Sequence, residues 1–200
     1  LDIMMLEEKI TAYQLTLGSK SPRRDYLLRE LGLDFNIRVI ETDESYPQNL
    51  KIPEIAPFLA KMKGNAHLLK IQENEIVITA DTIVTVDNCV LNKPKSKAQA
   101  TSMLQQLSGK CHTVYTGVCL TNSIKQMVFC ESTEVWFHAL SNEEIEYYIE
   151  TCQPFDKAGS YGIQEWMGYA GIKKINGDFF SVMGLPLQLL YRKLNKFISE

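Results

Sequence analysis

The sequence predicts a mixed α/β fold in a single domain over residues 1–200. Strand-like apolar runs alternate with helical patterns in the first half of the chain. Two long strand patterns then follow one another directly, which is typical of an antiparallel pair. With 45% hydrophobic residues among 200, the chain can bury a sizeable core. These observations favour helices and strands arranged over one continuous core.

The first predicted strand leads through a short loop into a helix. Residues 13–17 are predicted to form a short buried strand that leads to Gly18. Ser21 is suited to the N-cap position, Pro22 to the first helical position, and Gly32 to the end of this helix.

The remaining elements follow from the spacing of apolar residues, which differs between strands and helices. We expect strands over residues 35–40, 75–84, 112–120 and 126–137, and a hairpin turn at residues 87–88. We expect helices over residues 54–72, after the caps Ser96 and Ser141, and from Pro186 onward. Residues 154–184 are rich in glycine and aromatic residues, so we expect loops and short strands there.

The charge balance argues against a protein that binds nucleic acid through its overall charge. Lys and Arg number 21 against 24 Asp and Glu, which gives a net charge of −3. An anionic ligand must therefore be held by a few basic residues placed locally.

We expect a cytoplasmic protein that does not bind a membrane. No apolar stretch approaches the roughly 20 residues of a membrane-spanning helix, and residues 1–9 lack the pattern of a secretory signal. The five cysteines are an odd number without a Cys-x-x-Cys pair, which indicates reduced thiols rather than disulfides or a zinc site.

The loop after the first strand is a candidate site for phosphate groups. Backbone N–H groups at a helix N-terminus lack partners, and the helix dipole places positive charge there. Hydroxyls and guanidinium groups at the same place would complete a binding site for a polyanion. The alternative is an ordinary N-cap with surface arginines, but two arginines in the first turn oppose the dipole and so favour a function. The side chains concerned are Ser19, Ser21, Arg23 and Arg24.

Asp81 interrupts the most apolar strand pattern of the chain. A carboxylate buried without a partner is costly, so it should meet a cation, a metal ion or hydrogen-bond donors. Carboxylates at strand ends can bind magnesium or activate water, although an Asp there can also cap a turn. Asp43 and Glu44 are candidates for a further metal ligand, or are solvated loop residues. Lys63 and Lys93 are basic candidates, or ordinary surface lysines.

The segment 156–164 is the last candidate, because its glycines allow a ligand to approach the backbone closely. Gln164 carries both a hydrogen-bond donor and an acceptor, so it could bind the edge of a pyrimidine base. The alternative is a glycine-rich hairpin loop without a ligand.

Taken together, these segments resemble the Maf-like nucleotide pyrophosphatases. The matching motifs are Ser-x-Ser-Pro-Arg-Arg from residue 19, Ala80-Asp81-Thr82, Asn92-Lys93-Pro94, Leu107-Ser108-Gly109, residues 156–164, Lys174-Ile175-Asn176-Gly177 and Gly184-Leu185-Pro186. They occur in the order of the family and cover about residues 13–195. Lys20 and Glu165-Trp166-Met167 depart from its usual pattern.

The resemblance implies a fold related to the inosine-triphosphate pyrophosphatase type, with two lobes around a deep cleft. It implies hydrolysis of a nucleoside triphosphate to the monophosphate and pyrophosphate with a divalent cation, Mg²⁺ or Mn²⁺. By position, the proton acceptor would be Asp81, further active-site residues Glu44, Lys63 and Lys93, and phosphate-binding residues Ser19, Ser21, Arg23 and Arg24. Arg23, Thr82 and Gln164 resemble the specificity residues of the dTTP/UTP subgroup rather than those of the 7-methyl-GTP subgroup.

We expect Glu44 and Asp81 to supply the metal ligand and the base, and the residue types do not divide these two roles between them. One alternative function is a non-hydrolysing nucleotide-binding regulator of septum formation. Another is a house-cleaning hydrolase of modified pyrimidine triphosphates such as 5-methyl-UTP. The acidic and basic positions present favour an enzyme over a regulator, and the resemblance also implies a homodimer.

Overall fold

The computed structural model describes residues 6–200, with the side chain of Glu7 excepted. The prediction that no secretory signal begins the chain falls largely on residues 1–5, which lie outside the described residues. Within residues 6–200, no helix is both long and apolar enough to cross a membrane.

The described residues form a mixed α/β structure, which confirms the predicted fold class. Seven strands form one sheet in the order β2-β1-β3-β5-β6-β7, and β4 pairs with β3. The strands are β1 Gln14–Leu17, β2 Asn36–Ile37, β3 Glu75–Val86, β4 Cys89–Leu91, β5 Cys111–Thr121, β6 Gln126–Phe137 and β7 Ile172–Asn176. The helices are α1 Leu6–Ile10, α2 Pro22–Glu30, α3 Ile52–His67, α4 Lys97–Leu107, α5 Asn142–Cys152, α6 Phe179–Met183 and α7 Leu187–Ser199.

The chain divides into two compact units. The first unit contains the described part of Leu1–Asp81 together with Thr116–Glu131 and Gly184–Glu200. In this unit β1 pairs in parallel with the beginning of β3, and Leu15 lies opposite Ile76. Both side chains are buried, as expected for parallel strands that are covered on both faces.

The second unit contains Thr82–Tyr115 and Ser132–Met183. Its β3–β4 hairpin turns at Asp87 and Asn88, which both have positive φ. Asn and Asp tolerate this conformation, which is typical of tight hairpin turns. The hairpin predicted at these residues is therefore confirmed.

Two helices of the second unit begin at the predicted caps. The Ser96 hydroxyl accepts a hydrogen bond from the Gln99 N–H at the start of α4. Ser141 and Glu144 form a complete capping box at the start of α5. The buried faces of α4 and α5 contribute Leu104, Leu107, Ile145, Tyr148 and Ile149 to the core.

Two elements are shorter than the sequence predicts. The strand expected over residues 35–40 is reduced to Asn36–Ile37, because its partner β1 ends at Leu17. Beyond that point only the Arg38 N–H still donates to the Leu17 carbonyl. The helix expected to end at residue 72 ends at His67 and continues as a 3₁₀ turn over Leu68–Lys70. Residues 154–184 contain short helical turns and α6 in addition to the one strand β7.

Candidate active site

Gly18 allows the loop after β1 to pass close to its neighbours. A Cβ atom at Gly18 would lie 2.6 Å from the Thr79 methyl group and 2.8 Å from Nε2 of His67. Real Cβ atoms essentially never approach other atoms this closely. The loop that leads to α2 therefore packs tightly against β3 and the end of α3.

The two serines of this loop have different surroundings. The Ser19 hydroxyl accepts a hydrogen bond from the Ser21 N–H at 3.2 Å, which stabilises the turn before the helix. Ser21 is the N-cap of α2 and Pro22 begins the helix, as predicted. The Ser21 side chain makes no capping hydrogen bond, so it does not occupy the N–H groups of the first helical turn. This is an arrangement that an anion can use.

Arg24 ties the loop to distant parts of the first unit. Its Nε donates to the Gly184 carbonyl at 2.9 Å. Its Nη1 donates to the Ala80 carbonyl at 2.9 Å and to the Ser19 hydroxyl at 3.3 Å. Burial lowers the pKa of Arg24, while the charges of Asp81 and Glu44 act in the opposite direction. Because three of its contacts are to protein acceptors, Arg24 holds the loop in place as well as adding positive charge.

Lys63 brings the two predicted carboxylates together. Its Nζ lies 2.5 Å from Oδ1 of Asp81 and 2.8 Å from Oε1 of Glu44. The side chains of Asp81 and Lys63 are 13% and 16% exposed, whereas that of Glu44 is 53% exposed. Asp81 thus has the cationic partner that its place in an apolar strand requires.

The structure distinguishes Glu44 from its neighbour Asp43. Both carboxylate oxygens of Asp43 accept hydrogen bonds from Ser45, one from the hydroxyl and one from the backbone N–H. These hydrogen bonds lower the pKa of Asp43. Asp43 therefore stabilises a local turn, while Glu44 reaches Lys63.

The two carboxylates provide oxygen atoms of the kind that a divalent cation binds. Glu44 and Asp81 already share one positive charge, the ammonium group of Lys63. Among the described residues, no group of three or more His, Cys, Asp or Glu side chains could enclose a metal ion. Mg²⁺ commonly binds one or two carboxylates and takes its other ligands from water and phosphates. These residues therefore fit the cation that the resemblance implies.

Arg23 lies in the first turn of α2, in the first unit, and is partly buried. The remaining predicted site residues belong to the second unit. Thr82 follows Asp81 on β3 and is partly buried, and Lys93 is exposed in the loop after β4. Gln164 lies in the turn that follows Ala158–Ser160. Its backbone carbonyl accepts a hydrogen bond from the Tyr169 hydroxyl at 2.7 Å.

Glu165 was not among the predicted site residues. Its position was recognised only as a departure from the family pattern. Glu165 accepts a hydrogen bond from the Tyr148 hydroxyl and forms an ion pair with Lys157. Tyr148 is fully buried on α5 and Lys157 is nearly so. An acidic residue directly after Gln164, amid apolar and aromatic residues, was the one available signal.

We predict that Arg24→Ala lowers the free energy of unfolding by about 2 kcal/mol, because three hydrogen bonds from a partly buried charged group are lost. Urea titration at neutral pH measures this change. The matched control is Lys20→Ala, which removes a cation from the same loop. Lys20 and its partner Glu41 are both exposed, so the control should leave stability nearly unchanged. Equal effects of the two variants would contradict the structural role of Arg24.

The comparisons with known proteins agree with the motifs. The family model described as "Maf-like protein" matches residues 14–197. A "dTTP/UTP pyrophosphatase" of Bacteroides thetaiotaomicron is 49% identical over 185 residues, which cover 92% of this chain and 96% of the relative. A "dTTP/UTP pyrophosphatase" of Phocaeicola vulgatus is 47% identical over 190 residues, which cover 94% of this chain and 98% of the relative.

Among solved structures, the chain is similar to the Ham1 protein of Staphylococcus aureus. The TM-score is 0.47 at 12% identity, over 62% of this chain and 71% of the other. Family membership follows from the matched residues and from the identities above, which extend over nearly the whole chain. The chain belongs to the Maf family.

Proposed function

We propose that this protein hydrolyses dTTP and UTP to the nucleoside monophosphate and pyrophosphate. The observation that carries the proposal is the pair of carboxylates, Glu44 and Asp81, on the single ammonium group of Lys63. Acidic groups held beside basic ones suit the hydrolysis of a polyanion better than its simple binding. The names of the relatives at 47% and 49% identity support this substrate class.

In the proposed reaction, Asp81 accepts a proton from a water molecule that attacks the α-phosphorus. A new P–O bond forms, and the bond between the α-phosphorus and the bridging oxygen breaks. The electron pair of that bond leaves with pyrophosphate. Lys63 holds the Asp81 carboxylate in position, and positive charge from Arg23 and Arg24 offsets the charge on the phosphates.

Because Asp81 is the base in this reaction, we propose that Glu44 is the carboxylate that would hold Mg²⁺ or Mn²⁺. When bound, the cation would neutralise phosphate charge and orient the water. Ser19 and Ser21 are proposed to bind phosphate oxygens through the loop before α2. We assign Lys93 to the active site, and Arg23, Thr82 and Gln164 to base preference, on the family resemblance.

A panel of nucleoside triphosphates tests the proposed function. Protein incubated with Mg²⁺ and each nucleotide should release pyrophosphate fastest from dTTP or UTP, and excess EDTA should abolish the release. If added Mg²⁺ or Mn²⁺ restores pyrophosphate release, EDTA acted by removing the cation and not by damaging the protein. Pyrophosphate release from none of the nucleotides would contradict the proposal and favour the nucleotide-binding regulator.

The same panel, extended to 5-methyl-UTP and other modified pyrimidine triphosphates, tests the house-cleaning role. A higher kcat/KM for a modified nucleotide than for dTTP and UTP would make the modified nucleotide the preferred substrate. We propose a cytoplasmic location, which is supported by the five free thiols. The homodimer stays a prediction that light scattering in solution can test.

A further inference from the structure

Glu165 is held by two donors from other parts of the second unit. The Tyr148 hydroxyl donates to Oε2 of Glu165 at 2.5 Å, and the same hydroxyl accepts a hydrogen bond from the Gly162 N–H at 2.9 Å. Nζ of Lys157 lies 3.0 Å from Oε1 of Glu165. Because Tyr148 and Lys157 are buried, the position of this carboxylate is well defined.

The carboxylate in turn faces the amide group of Gln164. Nε2 of Gln164 donates to Oε1 of Glu165 across 3.5 Å. The other end of the amide, Oε1 of Gln164, is buried and accepts no hydrogen bond from any residue between 6 and 200. An amide can present either its NH₂ group or its oxygen to a neighbour, and only the NH₂ group is attracted to a carboxylate. Glu165 thus decides which end of the Gln164 amide stays without a partner.

Gly162 allows the two side chains to lie this close to the backbone. A Cβ atom at Gly162 would lie 2.8 Å from Nε2 of Gln164 and 2.9 Å from Cδ of Glu165. The amide and the carboxylate therefore occupy the space that any other residue would need. The positions of these two side chains therefore also depend on the absence of a side chain at residue 162.

We propose that Glu165 is a specificity-positioning residue, which orients the Gln164 amide so that its oxygen accepts the ring N–H of a uracil or thymine base. This inference rests on the proposed function and adds to it the residue that sets the hydrogen-bond polarity. Uracil and thymine carry a donor at ring position N3, whereas cytosine carries an acceptor there. The oxygen of Gln164 pairs with the former and repels the latter.

Glu165→Gln provides the test because it keeps the size of the side chain. It removes the preference of the carboxylate for the NH₂ end of the Gln164 amide. A glutamine at position 165 can accept from Nε2 of Gln164 or donate to its Oε1, so both orientations of the Gln164 amide become satisfied. Lys157 keeps its ion pair with Asp156. We expect the ratio of kcat/KM for UTP to kcat/KM for CTP to fall at least tenfold.

A double-mutant cycle separates positioning from a general structural effect. In a Gln164→Ala background, the same change at Glu165 should alter the UTP to CTP ratio by less than twofold, because the amide through which Glu165 acts is absent. The matched control is Glu150→Gln, an exposed carboxylate of α5 that contacts Lys97. This control should leave the ratio unchanged.

Two outcomes of these assays overturn the inference. In the first, Glu165→Gln lowers kcat/KM for UTP and CTP equally, as a purely structural residue would. In the second, the unmodified protein does not discriminate between the two nucleotides.

Failure of the unmodified protein to release pyrophosphate would refute only the proposed function. In that case, equilibrium binding of UMP and CMP tests the inference about Glu165. The UMP preference should then fall at least tenfold in Glu165→Gln. An unchanged preference, or no binding of either nucleotide, overturns the inference.

Discussion

Asp81→Asn should lower kcat/KM for UTP by at least about 100-fold, because an amide cannot accept the proton of the attacking water. The Asn side chain has nearly the same size, and Lys63 keeps Glu44 as a partner. We therefore expect nucleotide binding to be retained in part and the fold to be intact. Pyrophosphate release under saturating Mg²⁺ measures the rate, and circular dichroism checks the fold.

The matched control for this variant is Glu41→Gln, which also converts an acid to its amide. Glu41 is exposed and pairs with Lys20 on the surface, so its replacement should leave the rate unchanged within about twofold. Near-normal pyrophosphate release by Asp81→Asn would refute the assignment of Asp81 as the base.

Glu75→Ala should lower the free energy of unfolding by about 3 kcal/mol, because it removes a buried carboxylate that pairs with the partly buried Arg38. The Glu75 side chain is 2% exposed and lies 3.0 Å from Nη2 of Arg38. It also accepts hydrogen bonds from the Thr16 hydroxyl and from the Gln72 N–H. The variant leaves the Arg38 guanidinium without this counter-charge, beside the buried ring of His67. Urea titration at pH 7 measures the loss.

Glu146→Ala is the control for Glu75→Ala. Glu146 and its partner Lys97 are both more than half exposed, so water solvates either charge after the other is removed. The control should unfold at nearly the same urea concentration as the unmodified protein. An equally small effect of Glu75→Ala would show that Arg38 does not need its partner.

Glu75 and His67, which both contact Arg38, make stability depend on pH. Burial acts to raise the pKa of Glu75, but the hydrogen bonds from Thr16, Gln72 and Arg38 outweigh it and lower the pKa below its ordinary value of 4.5. Burial, together with the charge of Arg38, lowers the pKa of His67 below its ordinary value of 6.5. In both cases the unfolded chain binds the proton more readily, so stability should fall as the pH falls from 6.5 to below 4.5.

Local chemistry allowed much of the fold to be predicted. Ser21, Pro22 and Gly32 marked the limits of α2 through capping and conformational preferences that act within a few residues. The apolar run from Glu75 onward indicated a strand covered on both faces. The short β2 could not be predicted, because its length depends on where β1 ends in space.

The candidate site was predictable as a set of residue types but not as an arrangement. The position of Asp81 in an apolar strand indicated that it needs a partner, and Lys63 was among the candidates. Residue types alone did not choose between Asp43 and Glu44, and only the resemblance to the family favoured Glu44. The physical basis of that choice is which carboxylate reaches an ammonium group on another element. Glu165 was noted as a departure from the family pattern, and its contacts with Tyr148 and Lys157 were not foreseeable.

The sequence by itself determined the fold class, most helix limits, the family and the inventory of acidic and basic groups, because these depend on periodicity, caps and motifs within short segments. The tertiary structure alone decided which of those groups share a partner. Lys63 meets Asp81 across 18 positions of the chain, and Arg24 meets the Gly184 carbonyl across 160. Electrostatic and hydrogen-bond partners depend on distance in space, which the order of residues does not specify until the elements have packed.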